Sequence, residues 1–522
     1  MGSTIGDFIT ANITRETGRV LQTGFGTPML LGEHPFTKNR IDKYKTPQAM
    51  LNDGFPVTSQ LYKMAVAMMS QRVSPRNFLV GRKLGNFNAI QTIAIAGTAT
   101  AGTYTITLDN QTTAAIQLDD DDSAVEAALE LLSNITSVSV TGTLATGFVI
   151  EFDGADANTA FNDFVVDISS LTGATGVTVT VNQTGSTVQT WTEALADVRS
   201  KPVSGSEADN FFSLMIASNI KADILEIAAL IEPLTKMFFP LSMDADIPQT
   251  GSADLMSLLK GLTYDHTSLM FTRLITITYG TLSAGNGFSA GEVVTGAGGA
   301  TGTVASIDTA LSQIKILPTN STDYILLENV TGGTTGSIAP ISDIVKNQIE
   351  AAWNGRLLPE APGSANWHKQ QLKAVTTDDY TTNELSELTS KRANFFESVA
   401  SLNLITSDGI TASGEFNDVI RGLLWIQTRI TEVVFALLAN EQQSKIPFTQ
   451  NGIDSIVQRV SSFLVTAENA GVLVAGSSSV QGPAIEDISD GDKLTRILNG
   501  ITFSGQLQGA INRVNFEGSV DV

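Results

Sequence analysis

Helix and strand patterns alternate along much of this 522-residue chain, and two strand-patterned stretches interrupt the alternation. The helical pattern YKMAVAMMSQ precedes the strand pattern NFLVG, and later segments repeat this order: WTEALADV, NFFSLMIAS, ADILEIAALI, KMFFPLSM, DLMSLLKGL and SLMFTRLI. Helices that alternate with strands pack in layers on a sheet. The sequence therefore predicts an α/β (α+β) multidomain protein, with a layered α/β core formed by residues 26–90 and 187–278.

The first interruption is acidic and contains no basic residue. Residues 91–190 carry twelve Asp or Glu and no Lys, Arg or His. Alternation of Thr or Val in TYTITL, SVSVTGTL, FVIEF and VTVTVN predicts strands, and DDDDSAVEAALELL predicts one helix with Ser123 and Glu126 at capping-box spacing. The Asp119–Asp122 run favours a solvated helix start over a cation site. We predict an acidic β-rich insertion domain over residues 91–186 that stays outside crowded self-contacts.

The second interruption contains an internal echo. FSAGEVVTGAGGATGTVAS and YILLENVTGGTTGSIAPIS share a Glu, a Val-Thr-Gly and a Gly-rich turn at equivalent positions. The pattern predicts a duplicated β insertion over residues 279–342. GAGGATG lacks the spacing and the Lys of a phosphate-binding loop, so we interpret its glycines as turn residues.

Long helices follow, in a predicted C-terminal helical and α/β domain over residues 343–475. Apolar residues recur every seven positions in FNDVIRGLLWIQTRITEVVFALLAN: Phe416, Leu423, Ile430 and Leu437, with Val419, Ile426 and Val433 between them. This spacing allows a coiled-coil seam, but we favour a helix that lies on the sheet of its own domain.

Both ends of the chain have the pattern of extended arms. Residues 1–25 form a predicted N-terminal arm, residues 476–500 a linker, and residues 501–522 a terminal strand. In GAINRVNFEGSVDV the apolar residues alternate with polar ones, as in a strand with one buried face. Such a strand can return to its own sheet or join the sheet edge of another copy.

Composition limits the possible functions. The net charge of −22 makes nucleic acid and anionic lipid unfavourable direct partners. There is no Cys, no apolar run of membrane-spanning length and no signal segment, which predicts a protein that is made and used in a cytoplasm without membrane insertion. His34, His266 and His368 lack metal-ligand spacing. With no catalytic motif either, we predict no catalytic, metal-binding or cofactor-binding residues and no enzymatic activity.

Several segments, taken in their order along the chain, carry a family resemblance. These are FGTPMLLGEH, SPRNFLVGR with the helix before it, LTSKRANFF, the helix pair around KIPFTQNGI, and FSGQLQGAINRVNFEGSVDV. Together they resemble a contractile tail sheath protein of a myovirus-type bacteriophage, in the variant with β-rich insertions. The resemblance covers about residues 25–83 and 343–522, and the α/β middle loosely.

The resemblance implies a structural subunit that polymerises around a tail tube and exchanges terminal strands with neighbouring copies. It implies contraction from a metastable extended state, which drives the tube through the host envelope. The implied partners are other sheath subunits, the tail tube protein, and the baseplate and tail terminator proteins. The implied location is the virion tail, after assembly in the host cytoplasm.

Two sets of residues follow as hypotheses for assembly. The inter-subunit strand would use alternate apolar residues of the terminal segment: Val514, Phe516, Val520 and Val522. Arg421, Arg429 and Arg459 would face the tube, although we favour the simpler interpretation that they are solvated helix charges. Two other classes stay open: a β-rich surface or fibre-type adhesion protein, and a carboxylate-based hydrolase.

Overall fold

A computed structural model describes residues 24–201, 209–320, 324, 326–399, 403–439, 445–512 and 514–515. The chain divides into two compact units. The large unit comprises residues 24–360 and 365–420, and the C-terminal unit includes residues 361–364 and the chain from 421 onward.

The elements are numbered in chain order. Up to the start of the second interruption they are β1 (Pro28–Glu33), β2 (Ile41–Tyr44), α1 (Pro47–Asn52), α2 (Gln60–Met69), β3 (Phe78–Lys83), β4 (Ile90–Leu108), β5 (Gln111–Thr112), β6 (Ile116–Gln117), α3 (Asp122–Glu130), β7 (Val138–Thr143), β8 (Gly147–Phe152), β9 (Val165–Asp167), β10 (Leu171–Gln183), α4 (Trp191–Ser200), β11 (Ser213–Ile216), α5 (Lys221–Ile231), β12 (Met237–Phe238), β13 (Leu241–Ser242), α6 (Leu255–Leu262) and β14 (Met270–Phe271). The remaining elements are β15 (Ile275–Tyr279), β16 (Val293–Gly296), β17 (Thr301–Asp308), β18 (Gln313–Pro318), β19 (Asn329–Gly332), β20 (Ile338–Lys346), α7 (Ile349–Leu357), α8 (Thr382–Ser390), β21 (Asn394–Val399), β22 (Asn403–Thr406), α9 (Asn417–Leu438), α10 (Gln450–Asn469), β23 (Ser479–Gln481), α11 (Asp490–Thr495) and β24 (Thr502–Ser504).

A mostly parallel sheet forms the centre of the large unit. Its strand order is β12–β11–β1–β3–β2, and β2 runs antiparallel to β3 at one edge. The first five residues of β1 are buried, as expected for a parallel strand covered on both faces. Met29 and Leu31 share a core with Leu195 of α4 and with Ile224 and Ile227 of α5. The predicted α/β multidomain fold is confirmed.

The segment KMFFPLSM is not the single strand that its pattern predicts. It divides at Pro240, with β12 in the first sheet and β13 in a second sheet of order β13–β14–β21–β22. Proline has no N–H to donate, so a regular ladder cannot continue through it. The carbonyl of Pro240 instead accepts from the Met270 amide, which starts the second sheet.

The acidic stretch forms its own antiparallel sheet, with β10–β4–β8–β7 in order. Val125 and Leu129 of α3 are buried in its core. The predicted Ser123–Glu126 capping box is wrong, because α3 begins one residue earlier than Ser123 and its N-cap is Asp121. The Asp121 carboxylate accepts from the Ala124 amide at 3.0 Å. Glu126 accepts instead from the Val140 amide of β7, which ties the helix to the sheet.

The second interruption folds into a closed barrel of order β15–β18–β17–β16–β19–β20. The two echoed glutamates take reciprocal places in this barrel. Glu292 accepts from the amides of Thr334 and Thr335, in the turn of the second half. Glu328 accepts from the amide of Gly298, which lies at the equivalent place in the first half. Each half of the echo therefore binds the Gly- and Thr-rich turn of the other.

Helix α7 is buried along almost its whole length beside α2 and β11. Trp353 packs edge-on against Trp367, and Asn354 accepts a hydrogen bond from Ser213 of β11. The first turn of the same helix contains Glu350, which is fully buried. Burial raises the pKa of Glu350 to about 8, because the low-dielectric interior disfavours its charge more than nearby amides and Lys346 favour it.

Glu350→Gln should raise the free energy of unfolding at neutral pH. The pKa of Glu350 rises from 4.5 to about 8 on folding, so its contribution to stability is complete below pH 4.5 and is lost as pH rises to about 8. Glutamine is neutral at every pH, so the variant should lack this decrease of the free energy of unfolding with rising pH. Denaturant unfolding at several pH values between about pH 5 and pH 8 measures the slope of that free energy against pH. Asp119→Asn, an exposed charge loss in the same unit, is the control; an unchanged slope in Glu350→Gln would contradict the assignment.

Candidate assembly surface

Helices α9 and α10 form the core of the C-terminal unit. Ile426 of α9 is buried with Val460, Phe463 and Leu464 of α10, and the Trp425 and Phe463 rings lie 5.2 Å apart. The seven-residue spacing therefore serves a helix pair within one unit, and the favoured prediction of a helix lying on a sheet is wrong. Leu423, one of the heptad residues, is exposed.

Two apolar grooves flank α9. The first has a volume of about 460 Å³, and its walls include Leu423 and Ile430 of α9 together with Phe503 and Leu507. The second has a volume of about 280 Å³ and lies between the end of α9, the start of α10 and the segment that contains Leu498. Exposed apolar surface of this kind is typical of a surface that binds a protein partner.

A two-stranded sheet borders the first groove. β23 pairs antiparallel with β24, with Val480 opposite Phe503. Val480 packs on the helix pair, whereas the side chain of Phe503 is 52% exposed. Within the part of the chain that the structure describes, neither strand has a second partner. An isolated two-stranded sheet is marginal by itself, and its free edges are templates for a further strand.

A turn held by Glu468 positions β23. The carboxylate accepts from the Ser478 hydroxyl at 2.5 Å, from the Ser478 amide at 2.9 Å and from the Gly476 amide at 2.9 Å. These hydrogen bonds, that of the Ser478 hydroxyl first, lower the pKa of Glu468. Glu468 lies near the end of α10, so it fixes the path by which the chain enters β23.

The chain continues beyond β24 as an exposed tail. Gln508 still bonds to the backbone of Val472. After it, Ile511 is 83% exposed and Val514 is 63% exposed, and both lie outside helices and strands. The other residues of the predicted inter-subunit strand, Phe516, Val520 and Val522, fall outside the described residues, so that strand stays a prediction.

The three arginines of the tube hypothesis have different environments. Arg421 is buried, and Arg429 forms an ion pair with Glu432, three residues further along α9. Arg459 of α10 is exposed. The tube-facing role of the three arginines stays a hypothesis, and among them Arg459 is the one with an exposed side chain.

The stretch predicted as a linker, residues 476–500, contains β23 and α11. A local signal for α11 is present in the sequence Ser-Asp-Gly-Asp: the Ser489 hydroxyl accepts from the Asp492 amide at 3.1 Å as an N-cap. β23 has no comparable signal, because only three residues pair and their partner strand is more than twenty residues away.

The histidines have structural environments. His34 lies against Phe55, with ring centroids 4.7 Å apart, and burial lowers its pKa to about 3. The Glu232 carboxylate accepts from the amide of His266, and His368 Nδ1 lies 2.9 Å from the Ser407 carbonyl oxygen. In the described ranges, no group of three or more His, Asp or Glu is placed to hold a metal ion. The helices described there include none long and apolar enough to cross a membrane.

Comparison with known proteins gives matches among solved structures. No protein-family model matches the chain, and no curated protein matches it. A chain of the six-fold symmetrised anti-feeding prophage baseplate matches at 9% identity and a TM-score of 0.45, over 100% of both chains. A chain of its helical sheath in the contracted state matches at 8% and 0.45, over 98% of this chain and 99% of that one. A chain of its contracted baseplate matches at 10% and 0.48, over 100% of this chain and 99% of that one.

The chain is similar to sheath and baseplate chains of the anti-feeding prophage.

Acidification should release the turn at residues 476–478. Because the pKa of Glu468 is lowered on folding, its contribution is complete above the ordinary glutamate pKa and is lost as pH falls through the lowered value. Hydrogen-exchange protection of the Gly476 and Ser478 amides, corrected for intrinsic rates, should fall as the pH drops below the ordinary glutamate pKa and Glu468 is protonated. Glu468→Gln should reduce that protection at neutral pH. Glu486→Gln, an exposed change in the same unit, should not; equal protection in both variants would refute the role of Glu468.

Proposed function

We propose that this protein is the structural subunit of a contractile phage tail sheath, which polymerises around a tail tube by exchanging strands between subunits. The observation that carries the proposal is the open two-stranded sheet of β23 and β24, followed after Gln508 by an exposed tail with Ile511 and Val514. In the proposed polymer, the tail of one copy adds to a sheet edge of the next.

Strand addition would stabilise both the open sheet edge of one copy and the exposed tail of the next. Each backbone hydrogen bond on the open edge contributes about 1 kcal/mol, and Ile511 and Val514 gain burial from their exposed positions. One tail gives a weak contact because ordering an extended segment costs conformational entropy. Many tails acting together in a ring or helix give a stable lattice.

Contraction is the further part of the proposal. A donated strand keeps neighbouring subunits connected while the residues between it and its own unit absorb rotation. The extended lattice is metastable, and a baseplate signal lets it relax to the contracted lattice. The work then comes from the difference in packing free energy between two lattices, so the subunit needs no catalytic or fuel-binding site. The proposed partners are the tail tube, baseplate and tail terminator proteins, in a virion tail assembled in the host cytoplasm.

Deletion of residues 509–522 should give a folded subunit that does not polymerise. The deletion removes the donated strand and leaves β23, β24 and the α9–α10 core in place. Electron microscopy and sedimentation of the concentrated full-length and truncated proteins measure assembly, and circular dichroism confirms folding. Long polymers formed by the folded truncation would contradict strand donation.

A double substitution tests the apolar side chains of the tail without changing the length of the tail. Ile511→Asp combined with Val514→Asp should reduce polymer mass strongly, because charged side chains cannot be buried at the acceptor edge without a large desolvation cost. Val188→Asp, at a 60% exposed valine of the large unit, is the matched control and should assemble normally. Equal assembly of the tail variant and the control would reject a role for these two side chains.

A further inference from the structure

The parallel sheet of the large unit has a topological switch point at β1. The chain leaves β1 to form β3 on one side, and later returns to form β11 on the other side. Connections that diverge in this way leave a crevice at the carboxyl ends of the strands, where open α/β sheets bind ligands. Glu33 and Lys83 are the last residues of β1 and β3, and Ala217 follows β11.

A cleft of about 540 Å³ lies at these strand ends. Its volume falls within the range of about 300–1,000 Å³ that is typical of small-molecule sites. Aromatic rings of Phe36, Phe87 and Trp191 line it, and Ile344 of the barrel contributes to another wall. Phe87 bridges to Ser186 at the base of the acidic insertion, so both interruptions of the core meet this cleft.

Lys346 in the lining of the cleft and Lys83 beside Glu33 are both engaged by protein partners. Lys83 Nζ lies 2.5 Å from Glu33 Oε1 and 5.2 Å from the centroid of the Trp191 ring. Lys346 is buried and donates to the Asn219 side-chain oxygen. Neither lysine is therefore the group that a ligand would meet first.

Two carboxylates, Glu33 and Asp223, offer charged acceptor oxygens at the cleft, whose lining also includes Thr58 and Ser59. Across the described ranges, Glu33 Oε2 has no hydrogen-bond donor, and a Cβ on Gly85 would lie 2.9 Å both from this oxygen and from the Phe87 ring. The oxygen is thus beside an aromatic edge. On another wall, Asp223 Oδ2 accepts from the Ser218 hydroxyl at 2.6 Å, which leaves Oδ1 available.

We propose that this cleft binds a small organic cation that has a primary ammonium group and a flat apolar body. The ammonium would donate to Glu33 Oε2 and Asp223 Oδ1, because charge-assisted hydrogen bonds require a donor where the protein offers acceptors. The apolar body would lie against Trp191 and the two phenylalanines, whose ring faces also attract a cation. The site is independent of the tail and of the proposed assembly.

Calorimetric titration of the full-length chain with 2-phenylethylammonium tests the proposal, with 3-phenylpropionate as the anion of similar shape. We expect saturable binding of the ammonium and about tenfold weaker binding of the carboxylate, the loss typical of one charge-assisted hydrogen bond. Equal affinity for the two probes, or no saturable heat with either, would overturn the proposal.

Substitutions at residues of the cleft test whether the ammonium probe binds there. Asp223→Asn and Glu33→Gln should each weaken ammonium binding by about tenfold, and Trp191→Phe should abolish the change in tryptophan fluorescence on binding. Asp119→Asn removes one exposed charge from the acidic insertion and should bind as the parent chain does. Thermal unfolding confirms that each variant is folded. Affinities of the Asp223 and Glu33 variants equal to that of Asp119→Asn would place the probe elsewhere and refute this site.

Discussion

The burial of β1 between parallel neighbours governs the architecture of the large unit. A strand covered on both faces must hydrogen-bond on both edges, so the chain has to cross the sheet to supply β3 on one side and β11 on the other. Between β3 and α4 the chain has left the sheet, and the acidic insertion occupies this connection. The core can therefore accept a large insertion without breaking its strand order. The same crossing creates the cleft at the strand ends.

In the barrel, each copy of the duplicated unit is too short to bury its own apolar face, and the two copies bury their apolar residues together. Val294 and Val330 occupy equivalent positions in the two halves, and both are buried in one shared core. The reciprocal contacts of Glu292 and Glu328 close the barrel with polar groups at its turns. Each half supplies hydrogen-bond donors for the carboxylate of the other half, so the closed barrel depends on both copies of the repeated unit.

The C-terminal unit differs from both, because its small core leaves much apolar surface uncovered. Phe503 is exposed on a two-stranded sheet, and Ile511 and Val514 are exposed in the chain that follows it. Such an arrangement favours association over solubility as a monomer. The acidic insertion, with no positive charge between residues 91 and 190, has the opposite character and suits a surface that repels other copies.

The sequence alone determined the α/β class, the two interruptions, the echo and the helical character of α9, because each depends on the periodicity, charge or repetition of residues along the chain. Only the tertiary structure decided that KMFFPLSM serves two sheets, that α9 packs on α10, and that Arg421 is buried whereas Arg459 is exposed. The pairing of Val480 with Phe503 and the presence of Glu33 and Asp223 in the lining of one cleft also depended on the fold. Periodicity shows which face of a segment is buried, but not which distant segment covers it, since that choice depends on how all the elements pack together.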